Sequence, residues 1–82
     1  MRTQLANQSD IEVIEVEVLP GSEACNKTIR NLGLPHQCLI AGINDQGFVL
    51  APDADYTIKP GNLIIMLVHN QVFEQALEKF KV

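Results

Sequence analysis

The sequence predicts a small α+β domain in the order β-α-β-β-β-β-α. It should have a mixed or antiparallel sheet, a short helix after the first strand and a second helix at the C-terminus. Three observations support this. Eighty-two residues make one domain with a single two-layer core. Aromatic residues are few (Phe48, Phe73, Phe80, Tyr56 and no Trp), so the core is mainly Ile, Val and Leu, a composition that favours sheet. Finally, the apolar spacing changes from a period of two near the start of the chain to a helical period at its end.

Residues 1–10 are polar and read as a linker or the end of a preceding element, leaving 11–82 as the folded domain. In IEVIEVEVL, Ile14, Val16 and Val18 alternate with Glu15 and Glu17 as in a half-buried strand. Ile11 and Val13 are out of phase, so either a bulge lies near Val13 and Ile14 or the core-facing strand begins at Ile14. Pro20-Gly21 ends this strand. Ser22 can cap a helix with Glu23 in its first turn, and Cys25, Ile29 and Leu32 share one helical face before Gly33 and Pro35.

CLIAGI (38–43) and FVLA (48–51) flank Asn44-Asp45-Gln46-Gly47 as a β-hairpin. Turns at 52–55 and 59–62 enclose a short extended piece, Tyr56-Thr57-Ile58. Leu63 to Val68 has no polar face and reads as a central strand covered on both sides. Asn70 can cap a final helix whose apolar stripe is Val72, Phe73, Ala76, Leu77 and Phe80.

Net charge and spacing narrow the function. A formal charge of −4 with six scattered Lys and Arg leaves no basic stripe for a nucleic acid. The longest apolar run falls far short of the roughly 20 residues that cross a bilayer, and a soluble, cytosolic chain is expected. Cys25 and Cys38 lack a CxxC spacing and read as reduced packing residues rather than a disulfide. His36 and His69 lack metal-ligand spacing, and either His is a pH sensor only against a stronger reading as an ordinary loop or strand-end residue. Asp53-Ala54-Asp55 has the alternate spacing of a calcium loop but lacks its further ligands. No convergent set of titratable groups suggests an enzyme.

In order, the chain shows a strand, Pro20-Gly21-Ser22, a short helix ending Leu32-Gly33-Leu34-Pro35, a strand ending at Ile43, a Gly47 turn, a Pro52-Asp53 loop, a Pro60-Gly61 turn and an aliphatic strand. Over roughly residues 14–80 this series resembles the TrkA-C domain, the C-terminal subdomain of regulators of K⁺ conductance (RCK). No single landmark is specific; their order is. The resemblance implies a cytosolic, dimerising regulatory module on the cytoplasmic side of a membrane channel or transporter, in the same or a partner chain. Its ligand would be cyclic di-AMP, another nucleotide or, less readily, a divalent cation.

The resemblance also implies where a ligand would bind: at the dimer interface beside the first hairpin strand, here Leu39, Ile40, Ala41, Ile43, Asn44 and Asp45. Aliphatic side chains there can pack on a base and Asn44 can donate and accept hydrogen bonds. Two positions depart from the family pattern. Asp45 stands where members often carry a basic residue, and Gly61-Asn62 replaces the familiar Gly-Asp. Short strands with exposed edges independently suggest pairing of two copies, with Leu39 to Ile43 as the expected interface. The competing reading has the helix at 22–32 covering that strand within one chain, and a purely structural dimerisation module is the alternative function.

Overall fold

The computed structural model describes residues 10–82, so nearly all of the expected linker lies outside the described residues. Four strands form one antiparallel sheet: β1 (Ile11–Glu17), β2 (Cys38–Asp45), β3 (Phe48–Leu50) and β4 (Leu63–His69), in the spatial order β1-β4-β2-β3. A turn of 3-10 helix (Asn70–Val72) leads into the one α-helix of the described residues, α1 (Phe73–Glu78). The predicted α+β class, antiparallel sheet and C-terminal helix are all present.

β1 pairs with β4 in unbroken register from Ile11↔His69 to Glu17↔Leu63. No bulge lies near Val13 and Ile14; instead the core-facing residues begin at Ile14, followed by Val16, while Ile11 and Val13 point from the opposite face, 51% and 69% exposed. The irregularity lies in β2, where the pairing with β4 shifts between Ile40 and Gly42. At the hairpin, Gln46 and Gly47 have φ of 54° and 93°, the two positive values that a tight two-residue turn between twisted strands requires.

The helix expected at 22–32 does not form. The segment is a chain of tight turns, with Cys25 N–H donating to the Ser22 carbonyl and Leu32 N–H to that of Ile29, each three residues back. Donors that would continue a helix are captured from elsewhere. Asn26 and Arg30 N–H donate to the carbonyls of Ile58 and Ala54, both at 2.8 Å, and Ala24 N–H reaches that of Lys79. Asn26 has φ of 70°, which no helix accommodates. Ser22 caps nothing; its hydroxyl donates back to the Leu19 carbonyl. The expected strand at 56–58 is reduced to an isolated bridge, Thr28↔Thr57.

The turns nevertheless bury the residues a helix would have buried. Ala24 and Leu32 join Val18, Ile40, Ile43, Ile58, Ile64, Met66 and Phe80 in the core, with Cys25 and Ile29 packed against them. All of this lies on one face of the sheet. β4 buries Ile64, Met66 and Val68 on that face but leaves Leu63, Ile65, Leu67 and His69 half-buried on the other, so it is central without being covered on both sides. His69 stands at the N-cap of the final helical segment, its Nδ1 accepting from Gln71 N–H at 3.1 Å.

Candidate ligand and pairing site along β2

β3 pairs only with Ile43, Asn44 and Asp45 of β2. It stops at Leu50 because Pro52, two residues on, has no amide hydrogen for a ladder, and the chain then folds into a turn closed by Asp55 N–H on Asp53 Oδ1 at 2.8 Å. Along Cys38 to Ala41, β2 therefore has β4 on one side and, among the described residues, no strand on the other. Beside this open stretch lies an apolar trough of about 330 Å³ between Ile29 and Leu34, Leu39 and Ile40, and Pro52 to Ala54.

The six expected site residues divide. Leu39, 61% exposed, and the edge of Ile40 line the trough. Ala41 is exposed at the irregularity. Ile43 is fully buried, as the inward phase of β2 dictates. Asn44 is committed to the hairpin, its Oδ1 accepting from Gly47 N–H at 2.8 Å. Asp45 turns to the protein, accepting from Asn62 Nδ2 at 3.1 Å. Neither Asn44 nor Asp45 lines the trough.

Asn62, which the sequence marks only as a departure from the family pattern, is 1% exposed, and its side chain makes three hydrogen bonds. Its Oδ1 accepts from the Tyr56 hydroxyl and from Lys59 N–H, both at 2.9 Å. Burial, then the nearby Asp45 charge, push the Tyr56 phenol above its ordinary range, with the Asn62 hydrogen bond working against them. Burial likewise raises the Cys38 thiol, keeping it protonated and poorly nucleophilic. Cys25 and Cys38 are both free thiols.

Among the described residues no group of three or more His, Cys, Asp or Glu gathers as a metal would require. Asp53 is engaged in its turn and Asp55 with Arg30 at 3.0 Å. No helix of the described residues is long and apolar enough to cross a membrane.

A four-stranded antiparallel sheet in this order, with one face under turns and a C-terminal helix, makes a small two-layer α+β domain. The TrkA-C domain pattern matches residues 13–81, and the chain belongs to that family. It is 33% identical over 57 residues, 70% of its length, to a Trk system potassium uptake protein TrkA homolog from Archaeoglobus fulgidus. It spans only 13% of that relative. Its fold is similar to the RCK_C domain dimer of S. agalactiae BusR in complex with c-di-AMP, at a TM-score of 0.71 and 25% identity, covering 83% of this chain and 93% of that one. The RCK C domain of the potassium transport protein KtrA, in complex with cyclic diadenosine monophosphate, shares the fold at a TM-score of 0.70, with 16% identity over 87% of this chain and 85% of that one.

Proposed function

We propose that this domain is the regulatory lobe of a K⁺ or other ion transport system, forming a homodimer on the cytoplasmic side of the membrane and coupling a small ligand to transport. The observation that carries the reading is the open, uncharged stretch of β2 beside an apolar trough. At the other end of the sheet β1 is also unpaired on its outer side among the described residues, but that strand bears Glu12, Glu15 and Glu17, charges that oppose pairing with another copy. Cys38 to Ala41 bears none. Two copies meeting there complete each other's sheet and wall in the trough, giving a base two aliphatic surfaces. A ligand that favours one arrangement of the pair then shifts the attached gate by linkage.

Cyclic di-AMP is the first ligand to test, because the BusR relative holds it in a dimer of the corresponding domain. A specific observation favours a second reading, a dimerisation module without ligand: no Lys or Arg lines the trough to answer a phosphate. Thermal melting with cyclic di-AMP, other nucleotides, Mg²⁺ and Ca²⁺ separates the two. A ligand at about 100 times its Kd adds about 2.7 kcal/mol, on the order of 10 °C for a domain of this size. A dimer that melts identically with every candidate is the structural module. Sedimentation of Ala41→Lys tests the interface, since a lysine on an open edge blocks pairing. A folded Ala41→Lys chain that stays dimeric moves the interface elsewhere.

A further inference from the structure

The sheet face turned away from the core has no covering layer among the described residues. Register places Val13, Leu67 and Leu39 in one row across β1, β4 and β2, with Leu63 and Ile65 continuing the stripe along β4. Val13 and Leu39 are 69% and 61% exposed, and Ile11, at 51%, adjoins a hollow of about 330 Å³ with Leu39 and Leu67. Three strands at about 4.8 Å spacing make a stripe about 10 Å wide, the width of one α-helix.

The charges on this face are of one sign. Glu15 and Glu17 follow Ile11 and Val13 along the same face of β1, opposite Ile65 and Leu63, and no ion pair or hydrogen bond among the described residues engages them. The five Lys and Arg of the described residues are occupied elsewhere. Lys27 and Lys79 hold Glu23, Arg30 holds Asp55, Lys81 holds Glu78, and Lys59 lies 5.9 Å above the Tyr56 ring. A second copy laid face to face would bring more carboxylates and no free base from these residues.

From this apolar stripe and its unanswered acidic margin, we propose that the outer face docks an amphipathic helix, two to three turns long, whose apolar side is flanked by Lys or Arg. Leu39 borders both this face and the β2 trough, but the acidic margin lies on β1, at the far edge of the sheet, so the proposal stands or falls independently of the ligand reading.

The chain contains no Trp, so a helical peptide carrying one Trp and a Leu face gives a clean fluorescence titration. Two versions are compared, one flanked by Lys and one by Glu. The Lys-flanked peptide should bind the full chain at least about tenfold more tightly, and salt should weaken it. Glu15→Gln/Glu17→Gln should remove the difference, and Val13→Asn should weaken binding. Circular dichroism confirms that each variant is folded. Equal binding of the two peptides, or binding of neither, overturns the proposal. So does sedimentation showing that Val13→Asn dissociates a face-to-face dimer.

Discussion

Asn62 Nδ2 donates to Asp45 Oδ1 at 3.1 Å, joining two positions that read in the sequence as departures from the TrkA-C pattern. The departures compensate for each other. With Asp45 in place, a carboxylate at position 62 would set two like charges in a buried site, whereas the Asn62 amide supplies the donor Asp45 needs and still accepts from Tyr56 and Lys59. The end of the hairpin is thereby tied to the start of β4.

Asn62→Asp should cost about 3 kcal/mol, because it exchanges a buried hydrogen bond for a repulsion. Asp45→Asn in the same chain should recover most of that loss: the amide introduced at position 45 would donate to the carboxylate introduced at position 62, which then accepts all three bonds. Urea unfolding of the two single variants and the double variant gives the coupling directly. Additive losses would mean that the two side chains do not interact.

Tyr56 reports on the same network. Its phenol is raised first by burial and then by Asp45, so absorbance titration should give a midpoint above the ordinary value of 10.0. Asp45→Asn should lower that midpoint. The unfolded chain releases this proton before the folded one does, so Tyr56 contributes stability that is intact below about pH 10 and lost as pH rises through the folded midpoint. Tyr56→Phe should flatten that alkaline limb.

At the acid end, Glu23 joins the turn segment to the C-terminal helix. Its carboxylate is held below the usual glutamate range, first by the hydrogen bond from Lys79 at 3.1 Å and then by that from Lys27 at 3.4 Å. The contribution is present above the unfolded value near 4.5 and disappears as pH falls through the lower folded value. Glu23→Gln should lower stability at neutral pH slightly and make the acid limb shallower. Melting curves between about pH 2.5 and 6 check this, and parallel limbs for the two proteins would count against it.

The strands were legible because alternation is a local signal: Ile14 and Val16 need only their neighbours to reveal a half-buried strand. Leu39 and Ile40, which line the trough, were singled out as site residues only through the resemblance to TrkA-C domains. The Asp45–Asn62 bond was not legible, since the two residues lie 17 positions apart and meet only through the folded sheet. β4 was read as covered on both sides because an apolar run states what is to be buried and not which element buries it. The helix at 22–32 failed for a related reason. Cys25, Ile29 and Leu32 do face the core, but so do the corners of successive turns, and the backbone of residues 54–58 takes the hydrogen bonds a helix would need.

That difference is measurable at Asn26. In a helix, Asn26→Ala would stabilise, because Ala has the higher propensity. In the turn, φ is 70°, a conformation that Asn tolerates and a Cβ-bearing Ala resists, while the N–H donates to Ile58 in either case. Asn26→Ala should therefore destabilise by about 1 kcal/mol, and Asn26→Gly should be neutral or slightly stabilising. Chemical denaturation of the two variants decides the matter: Ala more stable than Gly would restore the helix, and Gly more stable than Ala places residue 26 in the left-handed turn.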